Sequence, residues 1–464
     1  MTLLQLRIVV ALSLLCTLVV LGAGLRDGGA PDPASALVGA RRPVTVAAPG
    51  LGAASASDAG ESSGGGGGGE ASSSGSSGAG AGASTTPAAS TTPSPTSGAG
   101  AGEGGGTGGS GGSGPGGGAA DAAPPPTKVR HVFVIALAGH GFDQAFGPGA
   151  PAAYLDGTLR PLGALLSGYE TLGRADLPDE LAAIGGQPPN ASTRAGCPAY
   201  REIPPSAAPS SGGVVSADGC VFPNTVPTIA DQLDASRRSW RAYVEDLDRG
   251  PAPAAGVPPK ATCRHPGSNQ PDEWVRARPG DGYATRHNPF VYYHSLLDLG
   301  GCDADDGGLT QLDRDLASAR DTPSLSWIVP NLCHDGTEAP CADGSPGGLA
   351  AADAFLATWA PKILASPAYK ADGVLIVTFA GDVTPPPGGA GSGPPAGAPL
   401  REGTLIVSRW ARAGSTDATA YDPYGLLRSL EDLFGLKPLA RAAHARSFAP
   451  AVLGGAYATP PGDG

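Results

Sequence analysis

The chain has 464 residues, of which 74 are Gly and 48 are Pro, and a formal net charge of -12 at pH 7. An acidic chain with no basic run is a poor match for a nucleic-acid groove or for adhesion to anionic lipid by charge, so no nucleic-acid partner is expected. So much Gly and Pro also means that part of the chain carries no packed core.

In chain order, residues 1–25 come first, with one positive charge at Arg7, a mostly apolar run from Ile8 to Leu21, and the small residues Gly22-Ala23-Gly24. That is the pattern of a secretory signal peptide. The stretch from Ile8 to Leu25 is also 18 residues without a charge, at the short end of what spans a bilayer, so an N-terminal membrane anchor is the rival reading. Either one places the rest outside the cytoplasm, secreted or anchored, with the membrane touched only through this segment. Residues 26–126 are dominated by Gly, Ser, Ala, Pro and Thr, including Gly64 through Gly69. They lack the large apolar side chains needed to offset ordering entropy and are expected to be a disordered linker. A globular domain is expected over 127–455, followed by a disordered tail, 456–464.

Within the domain, four apolar runs read as strands: 131–137, 324–329, 373–379 and 404–408. Helical spacing places Ile229 and Leu233 on one face of 228–235. It does the same for Phe355, Leu356, Trp359, Ile363 and Leu364 within 349–364, and for Leu426, Leu427, Leu430, Leu433 and Phe434 within 425–434. Strands alternating with helices predict an α/β fold, a mostly parallel sheet flanked by helices. The segment 151–330 is less regular, rich in Pro and Gly, and reads as long insertions over the sheet.

Outside Cys16 there are six cysteines: Cys197, Cys220, Cys263, Cys302, Cys333 and Cys341. In an exported chain this even number predicts disulfides that staple the insertions. Nearest neighbours are the expected pairs, although sequence does not choose among connectivities. No Cys-x-x-Cys supports a zinc site.

Several segments together carry a family resemblance: Val132–Gly147, Trp240–Leu247, Arg286–Ser295, Pro323–Asp335, Ala350–Tyr369 and Tyr421–Leu436. In this order they resemble the bacterial phosphoesterases that include acid phosphatases and non-haemolytic phospholipases C. The resemblance implies an alkaline-phosphatase-like fold and metal-dependent hydrolysis of phosphate esters. It also implies where this chain departs from an active site. Where the family shows Glu-Asn-His-Ser-Phe-Asp after its first strand, the chain reads Ala138-Gly139-His140-Gly141-Phe142-Asp143. The family's Asp-Glu after a strand ending in Thr-Phe is replaced by Ala380-Gly381, with Asp382 the nearest carboxylate. Asp176 stands near the family's nucleophilic Ser, and Pro423 stands where the family has an imidazole. His334-Asp335 is retained, but the following Gly-His-Asp has become Gly336-Thr337-Glu338.

Metal ions need oxygen or nitrogen donors, and Ala and Gly side chains have none. Losses at two strand ends, the nucleophile and an imidazole together predict a catalytically inactive binding domain at the cell surface. Its expected ligand bears phosphate, lipid or glycan. One alternative is an active phosphoesterase acting on mono- or diesters, with a divalent metal held by relocated ligands. Another is a structural envelope protein. The residues available for binding are His140, His334, Asp335 and Asp382, and no residue is assigned as a metal ligand or catalytic group. Asp143 reads as a helix cap, and Tyr292, Tyr293 and Trp327 as core.

Overall fold

A computed structural model describes residues 127–249, 263–381 and 398–457. The signal or anchor segment, the linker, Asp382 and residues 458–464 lie outside the described residues. In chain order the strands are β1 (His131–Ala138), β2 (Ala164–Leu166), β3 (Trp240–Val244), β4 (Asp306–Gly307), β5 (Leu325–Val329), β6 (Gly373–Ala380), β7 (Thr404–Val407) and β8 (Ser415–Asp417). They form one sheet in the order β4-β3-β5-β1-β6-β7-β2-β8. β7 runs antiparallel to β6 and β2, and the other described pairings are parallel. The expected mostly parallel α/β architecture is therefore present.

The central strands are apolar throughout because both faces are covered. Val132, Val134 and Ala136 pack into one core, while Phe133, Ile135 and Leu137 enter the other. β6 repeats the division, with Val374 and Ile376 on one side and Leu375, Val377 and Phe379 on the other. Register pairs Ala138 with Ala380, so the two substituted strand ends lie side by side.

Five helices matter for the site: α1 (Phe142–Ala145), α2 (Asp176–Gly185), α3 (Ile229–Ala235), α4 (Leu349–Ala365) and α5 (Pro423–Phe434). α3 begins at a capping box in which the Thr228 side chain accepts from the Asp231 N–H. α5 begins at Asp422, whose side chain accepts from the Gly425 N–H, with Pro423 in the first turn. In α4 the spacing holds: Phe355, Leu356 and Ile363 are buried, and Trp359 and Leu364 pack at the margin of the same core. Tyr292, Tyr293 and Trp327 are buried in the opposite core, as expected. Among the described residues no helix is long and apolar enough to cross a membrane.

Three expectations need correction or extension. The segment 151–330 is more than an insertion, since it contributes β2, β3 and β4 to the sheet. β3 escapes a hydrophobic reading because Arg241 interrupts it, and Arg241 is balanced by Asp315 at 3.0 Å. Asp143 does not cap α1; it lies inside that helix, and its carboxylate pairs with Arg401 at 2.9 Å. Ala456 and Tyr457, expected in the tail, belong to the domain. The Ala456 carbonyl accepts from the Lys128 N–H at 2.8 Å, and Tyr457 bridges to Thr127.

The three disulfides join Cys197 to Cys220, Cys263 to Cys302 and Cys333 to Cys341, the nearest-neighbour pairs. The first two staple the long segment between α2 and β5. The third closes the loop that follows β5.

Candidate functional site

The carboxyl ends of parallel strands are where an α/β sheet gathers ligands and catalytic groups. At β1 and β6 those ends are tied to each other. The Gly139 N–H donates to the Gly381 carbonyl at 3.0 Å. Gly381 sits at φ +65°, and a Cβ placed on it would lie 2.6 Å from the Asp176 nitrogen and 2.8 Å from the Arg174 carbonyl. The first turn of α2 thus rests on the position where a carboxylate side chain would have to stand. From the other side, Gly336 at φ +111° brings the loop after β5 so close that its Cβ would lie 2.8 Å from the Ala138 carbonyl. Beneath these ends a void of about 10 Å³ remains, lined by Glu180, Thr378, Ala380 and Pro423 among others. That is room for about one water.

Titratable groups do gather around the closed ends, and most of them are not the ones singled out from sequence. Asp176 opens α2, and its Oδ2 accepts from Arg286 Nε at 2.7 Å and lies 3.1 Å from His287 Nε2. The same His287 nitrogen lies 3.2 Å from Asp335 Oδ2, and its Nδ1 is 3.9 Å from Glu180. His287, Glu180 and Asp335 are each no more than 2% exposed. Although burial pushes the other way, the charges of Arg286 and His287 hold the Asp176 carboxyl well below the usual carboxylate range. Burial raises Asp335, and it raises Glu180 further, helped by Asp176, Asp179 and Asp335. Asp179 is pushed up to about 8 by burial, against the pull of two backbone donors, Leu172 N–H and Gly381 N–H, at 2.7 and 2.9 Å.

Arg286 and His287 stand inside a segment that carries the family resemblance, yet nothing in their spacing gives them a role. Glu180 and Asp179 read as an ordinary acidic first turn of a helix. The signal that would have found them is the density of charge in Asp176-Leu177-Pro178-Asp179-Glu180, on a helix whose residues are all buried.

Of the residues expected to bind, Asp335 joins this cluster and the others do not. His140 Nε2 donates to the Gly336 carbonyl at 2.7 Å, and Nδ1 lies 3.0 Å from Gln144 Oε1. It ties the loop after β1 to the loop after β5. Asp335 points inward, its Oδ1 accepting from the Thr337 N–H at 2.6 Å and the Thr337 hydroxyl at 2.7 Å. Its neighbour His334 points outward and pairs through Nδ1 with Glu245 at 2.9 Å. Pro423 begins α5 and offers no ligand. Asp382 is outside the described residues.

An active relative's divalent metal would therefore have to be held by Asp176, Asp335 and His287. These residues do not fit the task. Asp176 is already neutralised by the Arg286 guanidinium, a cation that repels a second one, and Nε2 of His287 faces both carboxylates. Among the described residues no group of three or more His, Cys, Asp or Glu side chains is arranged to hold a metal ion.

With this geometry in view, the chain's relations can be stated. It belongs to the Phosphoesterase family, which matches residues 135–437. It is 26% identical over 295 residues to a phosphate-repressible acid phosphatase of Penicillium chrysogenum, covering 63% of this chain and 57% of that protein. The chain thus spans little more than half the length of this curated relative. Among solved structures, it is similar to a protein of the alkaline phosphatase superfamily from Vibrio parahaemolyticus. There the TM-score is 0.40, with 16% identity and coverage of 70% of this chain and 72% of the other. The lipoteichoic acid synthase LtaP of Listeria monocytogenes is similar at a TM-score of 0.35, with 10% identity and coverage of 68% and 76%.

Proposed function

We propose that this chain is a phosphoesterase-family domain that binds a ligand outside the cytoplasm and does not hydrolyse phosphate esters. One observation carries the reading. The two strand ends at which the family resemblance implies metal ligands bear Ala138-Gly139 and Ala380-Gly381, and backbone from α2 and from the 336 loop packs onto them. Phosphoryl transfer of this kind relies on metal ions and a positioned nucleophile to stabilise charge on the transferring group. Side chains without donors supply neither, and a void of about 10 Å³ does not admit a phosphate ester. Asp176 occupies the nucleophile's neighbourhood, but its carboxylate is committed to Arg286 and His287. The three disulfides support an oxidising compartment, in agreement with a secreted or membrane-anchored chain.

Calorimetric titration of the purified chain with Zn²⁺, Mn²⁺, Mg²⁺ and Ca²⁺ tests the reading at its physical root. The expected result is no stoichiometric site. A one-to-one site weakened by Asp176→Asn and by Asp335→Asn would contradict it.

A further inference from the structure

The carboxyl ends of β3 and β5, beside the closed pair, open onto the surface and carry a second constellation. Glu245 follows β3 directly. Its carboxylate accepts from the Asn331 N–H at 3.0 Å and meets His334 Nδ1 at 2.9 and 3.0 Å. Asn331 is itself fixed, donating through Nδ2 to Asp246 at 2.7 Å, and its Oδ1 accepts from the His334 N–H at 3.1 Å. The Cys333–Cys341 disulfide closes the same loop. The imidazole is thus held by one nitrogen, while Nε2 has no protein partner among the described residues.

This pair forms one wall of a groove of about 460 Å³. The opposite wall is a shelf along α4, built from Ala350, Ala354, Phe355 and Trp359. The Phe355 and Trp359 rings lie 6.3 Å apart, and Phe355 lies 6.2 Å from the His334 ring. The Lys362 ammonium, 4.4 Å from the Trp359 ring, holds the indole in place and is itself tied to Asp313 at 2.7 Å. The groove is of the size and mixed lining that small-ligand sites have.

Its chemistry selects among ligands. An anion is disfavoured because the adjoining cleft carries Glu245, Asp246, Asp281 and Asp343 against Arg249 and Arg278, and Arg249 is already paired with Asp246 at 3.0 Å. A cation is disfavoured because the Glu245 charge is engaged by His334 and the Trp359 ring already carries Lys362. A purely apolar chain would cover Nε2 and leave it unpaired, which costs free energy. An uncharged polyol with an apolar face meets every requirement. Its C–H face lies on the aromatic and alanine shelf, and a hydroxyl either donates to or accepts from Nε2.

We infer that the Glu245–His334 groove binds a neutral carbohydrate, with Trp359 as the stacking surface, backed by the buried Phe355, and His334 Nε2 as the polar anchor. This rests on the reading of the chain as a binding domain and names the site and the ligand class. The test titrates the full chain with gluco-, manno-, galacto- and xylo-configured oligosaccharides, following calorimetry and tryptophan fluorescence. Inorganic phosphate and phosphocholine serve as charged comparators. The expected result is saturation by at least one neutral saccharide below about 10 mM, with affinity reduced at least about tenfold by Trp359→Ala and by His334→Ala. Ala354→Lys, at an exposed position that removes no contact, should block the groove with an unchanged melting temperature. The inference is overturned if no saccharide saturates, if all three variants bind as the parent does, or if phosphate binds in a way that His334→Ala abolishes. Turnover of a phosphoester would instead refute the binding-domain reading and leave the groove to be judged by this titration alone.

Discussion

Gly381 shows most directly how one residue decides the chemistry of a strand end. Its positive φ and the 2.6 Å approach of the Asp176 nitrogen leave no room for any side chain. A left-handed conformation alone costs a non-glycine residue roughly 1–3 kcal/mol, and the clash with helix backbone adds to it. Gly381→Ala is expected to destabilise the domain by about 3 kcal/mol or more, read as a lower urea midpoint. An unchanged midpoint would show that the contact yields easily and that the end can accept a side chain. Arg286 has the complementary role of internal counter-ion. Arg286→Met leaves the buried Asp176 charge facing His287 only, and a broken buried pair costs about 3–5 kcal/mol. Chemical denaturation at neutral pH checks this, and a loss below about 1 kcal/mol would mean that the pair is well hydrated.

Buried carboxyls also set a pH dependence at this scale. Burial pushes Asp179 up to about 8 and Glu431 up to about 9. In the unfolded chain such groups ionise near 4. Between those values the folded state holds protons that the unfolded state has released, so stability is fully present below about pH 4 and falls as pH rises toward the folded values, by up to about 1.4 kcal/mol per unit for each group. Asp176, depressed in the folded state, works the other way: its contribution is fully present above about pH 4 and is lost progressively as pH falls below that. Glu431 Oε1 accepts from the Leu439 N–H at 2.7 Å, a bond that Gln retains. Glu431→Gln is expected to raise the melting temperature at pH 8 relative to the parent, with a smaller difference at pH 5. Equal differences at both pH values would show that Glu431 does not titrate in this window.

At the scale of elements, what the sequence made legible follows from burial. β1 and β6 are covered on both faces, so their apolar runs mark them unambiguously, and their ends at Ala138 and Ala380 are visible with them. β2, β4 and β8 have two or three residues each, too few for any periodicity to register. β3 is hidden by Arg241, whose charge is balanced by Asp315, 74 residues away in sequence, and by Asp305 at 3.9 Å. The site divides in the same way. The missing donors can be read from Ala and Gly, whereas the cluster of Asp176, Glu180, Arg286, His287 and Asp335 exists only because the fold joins three distant segments. His334 and Asp335 look like one unit in sequence, yet adjacent residues point to opposite sides of their loop. The disulfides are element-scale constraints of the same kind. Cys197–Cys220 and Cys263–Cys302 close segments of 23 and 39 residues, and removing either is expected to cost about 3–4 kcal/mol. A Cys263→Ser, Cys302→Ser double variant with the parent's denaturation midpoint would show that the segment is held by packing alone.

At the scale of the whole molecule, a phosphoesterase-family sheet presents two neighbouring regions at the same edge, one closed and one open. The ends of β1 and β6 are tied, packed over and charge-balanced from within, while the ends of β3 and β5 leave a groove with an aromatic floor and an anchored imidazole. The most direct test of the closed half is turnover by the purified full chain. It is assayed with chromogenic phosphate mono- and diesters and with phosphatidylcholine, each in the presence of Ca²⁺, Mg²⁺, Mn²⁺ or Zn²⁺. The predicted result is product release no greater than that of a heat-treated sample under every condition. Saturable release proportional to protein and abolished by a chelator would contradict the account.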